Sequence, residues 1–383
     1  MMSILLPVAD DLGVTVPEAG HFISAYAAGV CAGVLIMAAA ARKMPLKTLL
    51  LIIVGIITLG NTLTVFVGSY HLMLFSRFIA GLPHGAYFGA AGVLCTQLAE
   101  PGKASRDMCL MVAGMTIANL AGVPLASFLA WAVSWRAAFA IAAAAALITF
   151  AAIRITVPKV PALPDSGFAA QFRFLRSLEP WLVLGAIGLG NGGFFAYYSY
   201  VNPVMEHVAA VPASMMSVVI TLAGAGMVLG NLFCAKISSS FSDESLAAAA
   251  GQGVLLLSLA SVFFLAHWSP AAIALTTLAA GCVFFISGPE QVLMIRNAKE
   301  GQLLAASLAQ VSFNAGNAVG AWLGGLPIDA GKAANWAAMP GFFLALAGFG
   351  LLFVNWLIHR VREEERTAGR IAALKDQIQS KAP

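Results

Sequence analysis

Apolar runs of about twenty residues, separated by short polar turns, recur along the whole chain and decide what it can fold into. Helices rise 1.5 Å per residue, so about twenty apolar residues cross a hydrocarbon core roughly 30 Å thick. Such runs fall near 18–41, 47–67, 72–98, 106–131, 135–156, 180–206, 212–238, 245–266, 270–295, 302–327 and 336–359. They do not alternate polar with apolar residues, which argues against a membrane barrel. Composition agrees: 60% of the 383 residues are hydrophobic and 10% charged, against about 25% charged in soluble domains. The sequence predicts an all-α membrane protein with eleven full spans. Ahead of them, residues 1–9 form an apolar stub. Nine helical residues cover about 14 Å, so the stub reads as the last half of a first helix, ended by Asp10 and Asp11. The spans are numbered 2 to 12 after it.

Small residues recur at every fourth position from Gly114 through Ala118, Gly122, Ala126 and Ala130. On a helix they form one stripe, which lets another helix backbone approach closely. Asn119 lies beside the stripe and Pro124 interrupts the backbone ladder after Gly122. Ser312, Gly316, Gly320 and Gly324 repeat the pattern, with Asn317 placed after Gly316 as Asn119 is after Ala118. The two asparagines are 198 positions apart. Gly29 and Gly33 in helix 2 match Gly226 and Gly230 in helix 8 at an offset of 197. Two matches at one period predict an internal duplication: two six-helix halves related by a pseudo-two-fold axis, the first helix incomplete. Thr15, Pro17 and Glu18 have the spacing of a capping box at the start of helix 2.

The longest polar interruption, 158–179, divides the helices six and six. It gives an N-terminal half at 1–157, a linker whose residues 168–178 suit a short interfacial helix, a C-terminal half at 180–359 and a tail at 360–383. Lysine and arginine fix the orientation. With the loop after helix 2 in the cytoplasm, 18 of the 21 basic residues fall on the cytoplasmic side, the linker and tail included. Arg136 and Lys332 lie outside, and Arg77 lies within helix 4. The five cysteines, Cys31, Cys95, Cys109, Cys234 and Cys282, all sit in apolar runs and read as small packing residues. The chain carries no HExxH, GxSxG or GxxxxGK[ST] pattern, and its buried acids and histidines are too few for a hydrolytic or metal centre.

Several stretches resemble a known family. Residues 12–30, 76–89, 114–139 and 313–329 look like the major facilitator superfamily, within it the drug/proton and sugar-efflux antiporter branch related to arabinose efflux permeases. The resemblance covers nearly the whole chain. It implies that Gly122, Val123 and Pro124 end the branch's helix 5 motif. It also implies that helix 5 packs on helix 8 and helix 11 on helix 2, which makes the glycine stripes the moving seams between halves. Arg77 and Gly81 match the helix 4 motif, whose arginine is associated with proton coupling. Two departures stand out. The loop after helix 2, AAAARKMPLK, keeps Arg42 and Lys43 but lacks the acid and second glycine of the family's pattern. The first half of helix 1, which often carries an acid facing the cavity, is absent; either the start lies upstream of Met1 or the chain is an inactive truncated remnant.

Ionisable residues inside a membrane are costly and mark candidate sites. Arg77 reads either as a coupling residue or as a side chain snorkelling to the outer surface. His84 reads as a titrating group or as a packing histidine. Glu290, after Gly288 and Pro289, reads as a proton-carrying carboxylate or as the ion-pair partner of Arg296. In the family, helices 1, 4, 7 and 10 line the cavity. Asn191, Tyr197 and Tyr198 on helix 7 and Gln291 on helix 10 are therefore the substrate candidates, with Tyr200 assigned to an interfacial belt. The function that follows is a secondary transporter of the bacterial inner or plasma membrane. It would exchange protons for sugars or small drug-like molecules by alternating access, driven by the proton gradient without a cofactor. Its partners would be a small-molecule substrate and the lipid bilayer. It would act as a monomer and bind no metal or nucleic acid. An uptake or uniport permease is the alternative, because direction is not written in a sequence.

Overall fold

The computed structural model describes residues 4–14, 16–40, 44–162, 167–237, 240–241, 243–298 and 300–380. Thr15, Arg42 and Lys43 lie outside these residues, and with them the proposed N-cap of helix 2. Numbered as the sequence predicts, the helices are α1 (Leu5–Leu12), α2 (Val16–Ala40), α3 (Leu46–Val65), α4 (Tyr70–Leu98), α5 (Ala104–Ile117, continuing as Val123–Ala132) and α6 (Trp135–Thr156). After the linker come α7 (Leu178–Tyr198), α8 (Met216–Ile237), α9 (Glu244–Leu265), α10 (Ser269–Asn297), α11 (Gln302–Asp329) and α12 (Ala338–Ser380).

Among the described residues, α3, α4, α5, α6, α8, α9, α10 and α12 are long and apolar enough to cross a membrane. The sequence predicts eleven spans, and eight qualify. Among the described residues α2 contributes the apolar stretch His21–Val34, and glycine, amide and hydroxyl residues dilute the hydropathy of α7 and α11. The stub helix runs through Asp10 and Asp11 to Leu12 and stops at Gly13, whose φ of 63° is the left-handed C-cap that suits glycine. The segment expected as an interfacial helix forms a 3₁₀ turn, Ala169–Arg176.

The same pairing scheme builds both halves. α2 packs on α4 and α8 on α10; α3 sits between α4 and α6, and α9 between α10 and α12. A Cβ on Gly29 or Gly33 would run into the carbonyls of Phe78 and Leu82 in α4. One on Gly226 or Gly230 would run into those of Thr277 and Gly281 in α10. The glycines are thus needed because backbone lies against backbone, at equivalent places in each half.

These contacts correct the expectation that the glycine stripes lie between the halves. Gly29 and Gly33 pack within the N-terminal half, and Gly226 and Gly230 within the C-terminal half. Gly316 and Gly320 meet the carbonyls of Gly188 and Gly192 in α7, also within one half. In α5, Gly114, Ala118, Asn119, Gly122 and Pro124 are exposed, and open space lies beside Gly114 and Gly122. Residues Ala118–Gly122 there form a π-turn. Pro124 has no N–H for the carbonyl four residues back, and a widened turn is a common response to such a break.

The halves meet through α5 against α8 and α10, and through α11 against α4 and α2. Close approach across them involves Gly89 with Leu303 and Ser307, and Gly92 with Gln291 and Ile295. These residues lie toward the ends of the helices that bear the basic loops, the basic face. There the linker docks on the C-terminal half: Arg173 pairs with Glu300 at 3.1 Å and Trp181 donates to the Leu175 carbonyl at 2.7 Å. Lys47 donates to the carbonyls of Arg154 and Val157, at 2.9 and 2.6 Å, capping the C-terminus of α6. At the opposite face Arg136 joins Asp11 at 2.7 Å and the Val67 carbonyl at 2.8 Å.

Candidate transport site

A small cavity of about 40 Å³ lies between the halves, inward of the contacts at the basic face. Phe88 of α4 and Met111, Val112 and Met115 of α5 form its N-terminal side. Ile187 of α7, Phe284, Ser287, Glu290 and Gln291 of α10, and Ala309, Gln310 and Phe313 of α11 form the other. The C-terminal half brings polar groups only at Ser287, Glu290 and Gln291 of α10 and Gln310 of α11, so the walls are aromatic and thioether with a few convergent polar atoms. That division of labour is typical of small-molecule sites.

Glu290 is 2% exposed. Asn191 Nδ2 of α7 donates to its Oε2 at 3.3 Å and to the Ile187 carbonyl at 2.8 Å. The other carboxyl oxygen and the Asn191 carbonyl oxygen are buried without hydrogen-bond partners. The alternative of an ion pair with Arg296 is not realised. Arg296 is exposed and pairs with Glu244 of α9 instead, because six positions of helix put the two side chains on different faces. Gln291 Nε2 reaches across to the Ala306 carbonyl of α11 at 3.1 Å.

The tyrosines of α7 are placed differently from the expectation. Tyr197 is fully buried and bonds Thr276 Oγ1 of α10 at 2.6 Å, inside the C-terminal half. Tyr198 stacks on Phe194 with centroids 4.7 Å apart. Neither lines the cavity between the halves. Tyr200 donates to the Ala321 carbonyl at 2.9 Å.

Arg77 and His84 border a second cavity, of about 350 Å³, within the N-terminal half beside Tyr26, Asn61 and Phe139. Arg77 is 5% exposed, so it does not snorkel to the surface. Its guanidinium contacts Thr64 Oγ1 and the Gly60 carbonyl of α3, the latter at 3.4 Å, and lies 4.5 Å from the centre of the Phe139 ring. His84 Nδ1 is 3.0 Å from the Tyr26 hydroxyl. Arg77 and His84 are thus in one cavity and Glu290 in another. Among the described residues no group of three metal-ligating side chains occurs.

Sequence reasoning did not find Phe88, Met111, Met115, Phe284 and Phe313, because an apolar side chain gives no contrast inside an apolar helix. The seam of α5 was also hidden. It is carried by Cys109, Val112, Thr116 and Leu120, on the side of the helix roughly opposite the glycine stripe. Leu120 fills the space beside Gly224 of α8, and Asn231 Nδ2 reaches Thr116 Oγ1 at 3.4 Å. The reading of all five cysteines as packing residues is corrected here: Cys109 and Cys234 are joined in a disulfide across this seam. A spacing of 125 residues carries no sign of such a pair; only the packing of α5 on α8 creates it.

Two helical halves enclosing a small, mostly apolar site with one buried carboxylate have the form of a membrane transport protein. Comparison with known proteins gives the family. Residues 1–303 match the model of the Major Facilitator Superfamily, and the chain belongs to that family. It is 35% identical to AraJ of Escherichia coli (strain K12) over 354 residues, 92% of this chain and 90% of that one. It is 25% identical to the purine ribonucleoside efflux pump NepI of Shigella sonnei (strain Ss046) over 333 residues, 86% of this chain and 82% of that one. The fold is similar to that of the transporter FucP in its outward conformation, with a TM-score of 0.74 and 17% identity over 92% of this chain and 96% of that one.

Proposed function

We propose that this chain is a proton-coupled efflux transporter of the bacterial inner membrane, with its basic face, linker and tail in the cytoplasm and eleven spans in the bilayer. The observation that carries the reading is Glu290: a carboxyl group buried at the wall of the inter-half cavity with a neutral amide as its hydrogen-bond partner. A carboxylate without a cation is expensive in such a place, so the group suits the holding of one proton and its release when the cavity opens to water. One charge crossing the membrane is worth about 2.3 kcal/mol per 100 mV, enough to drive a useful gradient of a neutral solute.

The halves touch at the basic face, which favours a state open to the outside. Transport then requires the seam of α5 with α8 and α10, and of α11 with α4, to part. The walls of Phe88, Phe284, Phe313, Met111 and Met115 favour a substrate with an aromatic or apolar body and a few polar groups over a free sugar. A purine ribonucleoside has that character, and a related pump exports such compounds. Arg77 and His84, by contrast, act within the N-terminal half as a coupling element separate from the substrate cavity.

The test is transport into proteoliposomes holding the full chain in known orientation. Inosine should accumulate on the acidic side of an imposed pH gradient, and arabinose should not. Failure of inosine, arabinose and a panel of aromatic drugs to move against any pH gradient would overturn the reading. Downhill movement unaffected by pH would support a uniport permease instead.

A further inference from the structure

Cys109 and Cys234 are both fully buried. Cys109 lies in the second turn of α5, and Cys234 lies one turn before the end of α8 at Ile237. Both are therefore at the basic face, on helices of opposite halves. Their Cα atoms are 6.2 Å apart, within the span a disulfide bridges without backbone movement. Gly288 of α10 lies against Cys109, and a Cβ there would strike its Sγ and backbone. The Asn231 to Thr116 bond lies on the same pair of helices, about one turn away along α8 and two along α5. The two thiols thus sit at the contact that must open for the cavity to reach the basic face.

We propose that Cys109 and Cys234 are a thiol–disulfide modification site that locks the halves together at the basic face and stops the transport cycle. The proposal rests on the alternating-access reading above. In the dithiol state the seam parts freely. The oxidant is a small-molecule disulfide such as oxidised glutathione, which enters when the seam is open. The Cys109 thiolate, having released its proton, attacks one sulfur of that disulfide and expels one small thiol, leaving a mixed disulfide. Closure brings Cys234 to Cys109. The Cys234 thiolate then attacks the Cys109 sulfur, forms the protein disulfide and expels the second small thiol. The protein loses two electrons and two protons, and the small-molecule disulfide becomes two thiols. A cytoplasmic location keeps the pair reduced under ordinary conditions, so the lock engages under oxidative load.

The test uses the full chain with a protease site inserted in the linker. After cleavage, non-reducing electrophoresis should show the halves held together following oxidised glutathione and separated following dithiothreitol. Cys109→Ala and Cys234→Ala should separate under both conditions. Separation of the oxidised wild-type halves overturns the site. Amide hydrogen exchange at 104–117 and 302–309 reads the lock without any substrate. It should slow at least tenfold on oxidation in the wild type and not in either variant. Equal exchange in the oxidised and reduced wild type overturns the lock even if the bond forms. Where inosine efflux is measurable, oxidation should lower it at least tenfold, reversibly, in the wild type alone. A chain that cross-links and slows its exchange but moves no solute would overturn the proposed substrate and leave the lock standing.

Discussion

Asn191 Nδ2 of α7 lies 3.3 Å from Glu290 Oε2 of α10; both residues are buried, and Glu290 lines the cavity between the two halves. A neutral amide is the hydrogen-bond partner of this buried carboxyl group. Replacing Asn191 by Leu removes that donor while keeping the volume. We expect a change in the pH dependence of transport with little change in the amount of folded protein, checked by efflux measured across a pH series against detergent-extracted yield. An unchanged pH profile would detach Asn191 from coupling.

Arg77 belongs to the packing of α3, α4 and α6. Its planar guanidinium contacts Thr64 and Gly60 while lying over the Phe139 ring, and lysine cannot reproduce that geometry. In thermal unfolding, Arg77→Lys and Phe139→Leu should each destabilise the chain. A double-mutant cycle should return a coupling of about 0.5–2 kcal/mol; zero coupling would remove the ring contact from the account.

Tyr197 gives a prediction of opposite kind. Its hydroxyl bonds Thr276 within one half, so Tyr197→Phe should cost about 1 kcal/mol of stability. It should leave the KM for the transported solute unchanged. A KM shift of several-fold would return Tyr197 to the substrate cavity.

The helix 7 to helix 11 contact is the tightest test of the backbone packing. Gly316 and Gly320 lie against the carbonyls of Gly188 and Gly192, so Gly320→Val forces α7 and α11 apart. Overpacking of this kind costs about 1–3 kcal/mol, and the expected readout is a lower unfolding temperature in detergent. Gly122→Ala in α5, where open space surrounds the glycine, should leave that temperature within error.

Much of this architecture was legible in the sequence because membranes simplify the code. Apolar length located the helices, the basic loops supported an orientation, and the paired offsets of Gly29 with Gly226 and Gly33 with Gly230 announced a repeat. The structure gives that repeat its meaning: both glycine pairs sit under carbonyls of the helix two positions on in the chain. What the sequence did not show is which face of a helix meets which neighbour. Gly114, Ala118 and Gly122 make a persuasive stripe, yet the seam is on the roughly opposite side, at Cys109, Val112, Thr116 and Leu120. In an all-apolar helix every face is hydrophobic, so amphipathic pattern cannot choose between them. For the same reason the phenylalanines and methionines of the cavity could not be told from lipid-facing ones. Glu290 stood out because a buried charge is rare, but only packing could show that Arg296 turns to Glu244.

The central claim is that Glu290 carries the proton that drives transport. Its most direct test is proton movement in proteoliposomes loaded with a pH-sensitive dye, with inosine added to one side. Wild-type protein should move protons when inosine is added. Glu290→Gln, which keeps the shape and the Asn191 contact, should lose that proton flux at least tenfold while still exchanging inosine for inosine across the membrane. Substrate-driven proton flux equal to wild type in Glu290→Gln would contradict the account.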